Sequence, residues 1–209
     1  MKQRLSVFGI AIALFSGTVL SQTATNFGVE AGLNFGNSTT SPTSLSTTAR
    51  TGLMIGGFAD IGFSEMISLW GEVYYIQKGA EFSIVTSSGS ATATAKFNYL
   101  ELAPLLKLKF GTSEFKPFVF AGPSLGINLN AEGESKSGTQ SSTTDLKSIT
   151  ESTDFALAFG AGDEFKVGPT TGLMISIRYS LGLSDIDKDA TSSWKSNGLQ
   201  LLLGAKFGM

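Results

Sequence analysis

The segment Thr171–Leu183, TGLMISIRYSLGL, alternates strictly between apolar residues and small or polar ones. Successive side chains of an extended strand point to opposite faces, so this segment has one wholly apolar face and one small, polar face. A helix would spread the same residues around its circumference. The apolar face carries Leu173, Ile175, Ile177, Tyr179, Leu181 and Leu183. The segment therefore predicts a β-strand that lies between two unlike surroundings.

The same two-faced pattern recurs along the chain. The eight predicted strands cover 27–36, 52–63, 67–78, 99–110, 118–129, 155–162, 171–183 and 199–209. Tight turns follow the second, fourth and sixth strands, at 64–66, 111–114 and 167–170. Polar, mostly Ser/Thr-rich loops are predicted at 37–49, 86–90, 131–152 and 184–196, the third of them long and mobile. This alternation of long and tight connections predicts an all-β fold, an eight-stranded antiparallel up-and-down barrel with every long loop at one end.

The alternation does not itself say which face is outside. A soluble, lipocalin-like barrel encloses a ligand with its apolar face, whereas a membrane barrel turns that face to lipid. Three observations favour the membrane: the polar face is small and weakly charged, Lys and Glu are nearly absent from the apolar face, and aromatic residues form two girdles. The girdles are Phe27, Phe63, Phe110, Phe115, Phe165 and Phe207 at the tight-turn end, and Phe35, Tyr75, Phe155 and Tyr179 toward the long loops. The long loops are then extracellular, the tight turns periplasmic, and membrane lipid is a partner.

The first residues predict an export signal. Lys2 and Arg4 precede a short apolar run at 5–14, and small residues precede a plausible cut before Gln22. The alternative, a transmembrane anchor, needs an apolar run of about 20 residues. We therefore expect a signal peptide over 1–21 and an outer-membrane barrel domain over 22–209.

Composition excludes several classes of function. The chain has no His and no Cys, so it has neither a Ser-His-Asp nor a Cys-His catalytic centre, and no disulfide or Cys-rich metal site. The net charge of -2, with no basic tract, argues against a nucleic-acid partner. We expect a protein that is not an enzyme and carries no cofactor.

Charged residues nevertheless fall on the inward-facing positions. One interpretation is a transport or proton pathway, and the other is an ion-pair network that plugs the barrel. Eight strands leave room only for side chains, which favours the plug. We expect Arg178 to pair with at least one of Glu30, Glu72 and Glu101, because an unpaired buried guanidinium is too costly. The inward charges are Glu30, Asp60, Glu72, Glu101, Lys107, Glu164, Lys166, Arg178 and Lys206.

Two features break the strand pattern. Pro104 and Pro123 each remove a hydrogen-bond donor and should lie almost opposite each other on neighbouring strands, which predicts a shared irregularity or a bulge there. Asp163 falls on the lipid-facing positions unless a bulge turns it inward.

The segments YLELAPLLK at Tyr99 and KPFVFAGPSLG at Lys116 resemble motifs of the PorT-like family of small outer-membrane β-barrels. NFGVEAGLNFG at Asn26, GEVYYIQKGAEF at Gly71 and RYSLGLSDI at Arg178 are similar to the family's other strands. The resemblance implies the barrel fold and the outer-membrane location, and, from one member, a part in a protein secretion machine. The chain end, Gly204-x-x-Phe207-x-Met209, is similar to the signal that the barrel assembly machinery recognises, although that signal usually ends in Phe or Trp.

Three functional hypotheses follow. The first is a non-enzymatic barrel with a plugged polar interior and a structural or surface-interaction role. The second, implied only by the resemblance, is a component of a secretion or assembly machinery. The third is a soluble barrel that binds a small ligand. The Ser/Thr-rich loops suit adhesive or receptor-like surfaces as well as plain hydrophilic caps.

Overall fold

The computed structural model describes residues 25–41, 47–86, 89–111, 115–137, 140–189 and 193–208. The predicted signal peptide lies outside these residues. Within the described ranges no helix is long and apolar enough to cross a membrane. The described chain forms nine strands: β1 Thr25–Ser41, β2 Thr47–Gly62, β3 Ile67–Thr86, β4 Gly89–Lys109, β5 Phe115–Ser137, β6 Gln140–Asp145, β7 Thr153–Lys166, β8 Thr171–Gly182 and β9 Ser193–Phe207.

Eight of these strands close into a barrel. The strands lie in the order β4-β3-β2-β1-β9-β8-β7-β5, all neighbours are antiparallel, and pairing of β4 with β5 completes the ring. The ninth strand, β6, pairs only with the outer part of β5. The predicted fold class, an eight-stranded antiparallel up-and-down barrel, is confirmed.

Along each barrel strand, successive side chains point alternately to the outer surface and into the barrel interior. On β8 and β9, Ile177 and Leu201 point outward and are each 47% exposed, whereas their neighbours Ser176 and Gln200 are 4% and 1% exposed. The outer surface is a continuous apolar belt because every barrel strand repeats this pattern. Water would not tolerate a belt of that size on a monomer, whereas lipid requires it.

The strands continue farther than predicted at the long-loop end. β5 runs to Ser137 and pairs with the first half of β4, where Ala91 lies opposite Ser137. β6 occupies 140–145. The prediction of a structureless loop over 131–152 is therefore wrong for 131–137 and 140–145. Beyond the apolar belt the outer face of these strands meets water instead of lipid, so the strong contrast between apolar and polar positions weakens while backbone pairing continues.

Pro104 and Pro123 lie opposite each other in register. The pairs on either side, Leu102 with Leu125 and Leu106 with Ala121, keep one register, so there is no bulge at the prolines. Ladder pairing is interrupted between these two pairs, because neither proline has an N–H to donate. The predicted shared irregularity is therefore confirmed, and its form is a gap in the ladder. The register shift of this strand pair lies higher, between Asn98 and Tyr99.

Asp163 lies on the outer face and is half-buried. It pairs with Pro117 on one side and Ile175 on the other in unbroken register, so no bulge turns it inward. Its place, three residues before the end of β7, puts it beside the tight-turn rim, where a charge on the lipid side costs least.

Candidate functional site

The candidate site is the polar interior of the barrel. Its charged side chains are almost completely buried and fall into three groups along the axis. The lower tier at the tight-turn end is Asp60, Lys107, Glu164 and Lys206; the middle tier is Glu30, Glu72 and Arg178; the upper tier is Lys78, Glu101 and Asp154. Every member comes from an inward-facing strand position, so the tiers follow directly from strand register.

In the lower tier two lysines share two carboxylates. The Lys107 Nζ lies 2.5 Å from Glu164 Oε1 and 3.6 Å from Asp60 Oδ2. Lys206 pairs with the other Glu164 oxygen and lies 3.7 Å from Asp60 Oδ2. At the rim, the Lys109 Nζ adds a contact of 3.2 Å to the same Asp60 oxygen. Each of the two carboxylates thus pairs with at least two of the three ammonium groups.

Aromatic rings separate the lower tier from the middle one. The ring of Trp70 packs edge to face with Phe58, Phe118 and Phe120, at centroid distances of 5.6, 5.8 and 5.1 Å. The Lys107 ammonium lies 4.3 Å from the Trp70 ring centroid and 4.0 Å from that of Phe118. Cation–π contact of this kind favours a desolvated ammonium. The four rings form one contiguous, buried aromatic cluster between the two tiers.

The middle tier is built around Arg178. Its Nη2 lies 2.5 Å from Glu72 Oε1 and 3.7 Å from Glu30 Oε1, so Glu72 is a hydrogen-bonded partner and Glu30 a looser one. The guanidinium lies 5.3 Å from the Tyr74 ring centroid and 5.4 Å from that of Phe120. The residue opposite Arg178 on β7 is Gly160, where a Cβ would come within 2.2 Å of a backbone oxygen.

The upper tier is held by Lys78. Its Nζ lies 2.5 Å from Glu101 Oε1 and 2.9 Å from Asp154 Oδ2. The hydroxyl of Tyr74 donates to the other Glu101 oxygen at 2.7 Å, and the hydroxyl of Ser184 donates to the other Asp154 oxygen at 3.1 Å. Tyr74 therefore links the upper tier to the middle one.

An apolar cluster lies above the upper tier, at the outer end of the barrel. We call it the cap; it consists of Phe82, Phe97, Ile186 and Trp194. Trp194 lies edge to face on Phe82 and Phe97, at centroid distances of 5.7 and 5.2 Å, and Ile186 is buried. Asp185 Oδ1 accepts the backbone N–H of Trp194 at 2.8 Å, which ties the residues that follow β8 to the start of β9.

The structure places the six residues predicted as an interior charge network, Glu30, Glu72, Glu101, Lys107, Arg178 and Lys206, inside the barrel, but divides them among the three tiers. Glu101 pairs with Lys78 and not with Arg178. Lys166, expected inside, is exposed because it is the last residue of β7, beyond the closed wall.

The prediction of inward charges did not include Lys78 and Asp154, two members of the upper tier. Both lie on inward positions, but Asp154 stands one residue before the predicted strand. Extending that strand's alternation by one residue would have found it.

The three tiers present few unpaired charged groups that could act on a substrate. Each charged group faces an opposite charge at close range, and the described residues contain no group of three or more acidic side chains placed to hold a metal ion. Of the predicted assembly signal, Gly204 and Phe207 lie at the end of β9, with Phe207 exposed on the outer face, and Met209 lies outside the described residues. The geometry supports a packed interior.

A closed barrel with an apolar belt outside and a paired polar interior defines the class of small membrane-spanning β-barrels. The chain belongs to the outer membrane protein β-barrel domain family, whose model matches residues 20–188. This membership supports an outer-membrane location. No curated protein matches the sequence.

Solved structures share the fold. OprG from Pseudomonas aeruginosa is 12% identical, with a TM-score of 0.53 over 92% of this chain and 100% of that chain. Neisserial surface protein A is 16% identical, with a TM-score of 0.51 over 88% and 97%. A major outer membrane protein from Thermus thermophilus is 12% identical, with a TM-score of 0.50 over 88% and 99%. At these identities the similarity concerns the fold alone.

Proposed function

We propose that this protein is a non-enzymatic outer-membrane barrel with a structural or surface-interaction role and a plugged interior. One observation carries the proposal: every charged group of the three tiers lies within 3.7 Å of an opposite charge from another strand. A pathway for ions or solutes needs groups that are free to exchange partners with the passing solute. Here buried aromatic rings lie between the lower and middle tiers, and the cap lies above the upper tier, which supports a closed path.

The outer surface supports the surface-interaction part of the proposal. β3, β4, β5 and β6 extend as a sheet past the mouth of the barrel. Its outer-facing side chains are polar, with Lys96 paired to Glu134 and Lys136 Nζ 3.0 Å from the same carboxylate. The barrel anchors this sheet at a fixed height above the bilayer, which is the geometry that recognition outside the cell requires.

Conductance and fractionation test the proposal. The purified protein in planar bilayers should show no steady channel, and cell fractionation should place it in the outer membrane with a mature start at or near Gln22. A stable conductance that is lost in Arg178→Ala would contradict the plugged interior. Recovery as a soluble periplasmic protein without detergent would contradict the membrane location.

A second candidate is a component of a secretion machinery, as the PorT-like resemblance implies. The motif residues on β4 and β5, however, serve the barrel itself: Glu101 and Lys107 belong to the tiers, and Pro104 faces Pro123. The motifs thus support the fold more than a particular partner. Crosslinking in intact outer membranes separates the candidates, because co-purifying secretion components would favour the machinery.

We also propose that the end of β9 is the signal for the barrel assembly machinery. Phe207 is exposed on the outer face beside Phe27 of β1, at the strand pair that joins the two ends of the barrel. Phe207→Ala should slow insertion into the outer membrane and leave spontaneous refolding into lipid vesicles little changed. Equal insertion rates in cells would contradict this role.

A further inference from the structure

Strand β6 has a neighbour on one side only. It stands at the end of the strand order and pairs with residues 132–137 of β5 in unbroken register. All six of its residues are exposed. Every barrel strand, by contrast, has partners on both sides for most of its length. β6 is therefore the open edge of the sheet that projects outside the cell.

The free backbone groups of this edge follow from the pairing. The Leu146 N–H donates to the Ala131 carbonyl at 2.9 Å, and in an antiparallel pair the hydrogen-bonded positions alternate. The N–H groups of Ser141, Thr143 and Asp145 therefore point away from β5. Within the described part of the chain none of the three donates to another residue.

This edge lacks the usual protection. Natural edge strands avoid unwanted pairing through Pro, inward charges, Lys side chains or bulges. The strand QSSTTD contains no Pro and no Lys, and its pairing has no register shift. An unprotected edge that points into the extracellular space fits a docking strand better than an inert cap.

A carboxylate pair marks one end of the edge. Glu132 and Asp145 are cross-strand partners, so two like charges share one face of the sheet. Glu132 accepts a hydrogen bond from Asn130, and Asp145 accepts one from the backbone N–H of Lys147. Neither forms an ion pair with a described residue. A basic side chain on an added strand would relieve this repulsion.

Within the described part of the chain no strand pairs with the outer side of β6. The described chain ends, Thr25 and Gly208, lie at the tight-turn end of the barrel, away from β6. The carboxylate pair at the end of the edge favours a basic segment of another molecule as the occupant.

We propose that the free edge of β6 accepts an extended segment of an extracellular protein as an added antiparallel strand, with a basic side chain opposite Asp145. Backbone hydrogen bonds to Ser141, Thr143 and Asp145 supply affinity, and the Glu132–Asp145 pair selects the basic residue. The inference rests on the proposed surface-interaction function and names the chemistry of its partner.

A designed peptide tests this edge. The probe is acetyl-Lys-Val-Thr-Val-Thr-Val with a fluorescein label, which in antiparallel register places Lys opposite Asp145. Its matched control carries N-methyl groups at positions three and five, which remove two of the three N–H groups that would face β6. Fluorescence anisotropy on the full-length protein in micelles should show saturable binding of the probe and none of the control.

Variants then separate the backbone from the charge. Thr143→Pro removes an outward N–H without touching the β5 pairing and should weaken binding about tenfold, the effect of one lost hydrogen bond. Thr143→Val keeps the N–H and should bind like the parent. Asp145→Asn, which still accepts from Lys147, should weaken binding and reduce its dependence on salt.

Each outcome of these experiments supports or overturns the docking edge. Absence of saturable binding, equal binding of the N-methylated peptide, or equal affinity of Thr143→Pro would overturn the docking edge, as would self-association that excludes the probe. Conductance of the same preparation in planar bilayers is measured alongside. A silent bilayer with no peptide binding rejects the edge alone, whereas a steady channel rejects the plugged barrel.

Discussion

At the scale of single residues, the interior shows how a charge is kept inside a membrane protein. Arg178 is 1% exposed and lies between two small serines on β8, so its guanidinium reaches Glu72 across the barrel. Removing one partner of a buried pair leaves an uncompensated charge, which costs more than the pair itself contributes. The interior is therefore sensitive to single substitutions but tolerant of matched ones.

Arg178→Ala should lower the free energy of unfolding by about 3–5 kcal/mol, because it leaves two buried carboxylates without their cation. Reversible urea unfolding in lipid vesicles measures the change. Glu30→Gln is the matched control: Glu30 lies 3.7 Å from the guanidinium, beyond hydrogen-bond distance, and its neutralisation should cost much less than that of Glu72. Equal losses for Glu30→Gln and Glu72→Gln would contradict this pairing.

A second prediction concerns the residues on the outer face of the barrel. Leu201→Arg or Ile177→Arg should impair folding into vesicles by about 2–4 kcal/mol near the bilayer midplane, because each puts a charge into lipid. Arg at the adjacent inward positions, Gln200 or Ser176, acts by crowding the interior instead, and its effect should not change with lipid thickness. Equal tolerance at all four positions would show that the faces are wrongly assigned.

At the scale of elements, Asp185 in the connection between β8 and β9 holds the cap residue Trp194 by a hydrogen bond. Burial raises the pKa of Asp185, but hydrogen bonds from the backbone amides of Trp194 and Asp187 outweigh it and hold the pKa below its ordinary value of 3.8. A carboxyl with a lowered pKa stabilises the folded state fully above its unfolded pKa. That stabilisation is lost as the pH falls through the folded value.

Acid should therefore loosen the cap before the barrel. Below pH 3.8 the fluorescence of Trp194, measured in a Trp70→Phe background, should shift toward that of a solvated indole while the barrel stays folded. Asp185→Asn removes the titrating group and should abolish this transition. If Asp185→Asn showed the same acid-induced change in Trp194 fluorescence, the change would come from the titration of another group.

At the scale of the whole molecule, closure and filling reinforce each other. Eight strands enclose a narrow interior, and the buried charged side chains in it meet opposite charges from other strands. The cap lies toward one end of the interior and the lower tier toward the other. Under our proposal the molecule is an anchored plug that carries a sheet above the membrane.

Removing the cap should not open a channel. Trp194→Ala should lower stability by about 2 kcal/mol, less than the loss for a fully buried Trp, because Trp194 is half-buried. The tiers below remain filled, so the variant in planar bilayers should stay silent. Steady conductance in this variant alone would show that the cap is the gate and the interior an open path.

The sequence alone predicted the lipid-facing part of the eight barrel strands, their closure and the two faces of the barrel. Period-two alternation repeats wherever a strand separates lipid from a narrow polar interior, so 171–183 and its seven counterparts were readable one at a time. The inward charges followed from the same alternation. Resemblance in Tyr99–Lys107 and Lys116–Gly126 agreed with this fold.

The tertiary structure alone decided which charges meet and what lies beyond the bilayer. Pairing of Arg178 with Glu72, and of Glu101 with Lys78, depends on register and height across the barrel, which no local pattern encodes. β6 and the outer halves of β4 and β5 were missed because one face no longer meets lipid there, which weakens the contrast that reveals a membrane strand. Their order comes from backbone pairing with neighbours, a property of the assembled sheet.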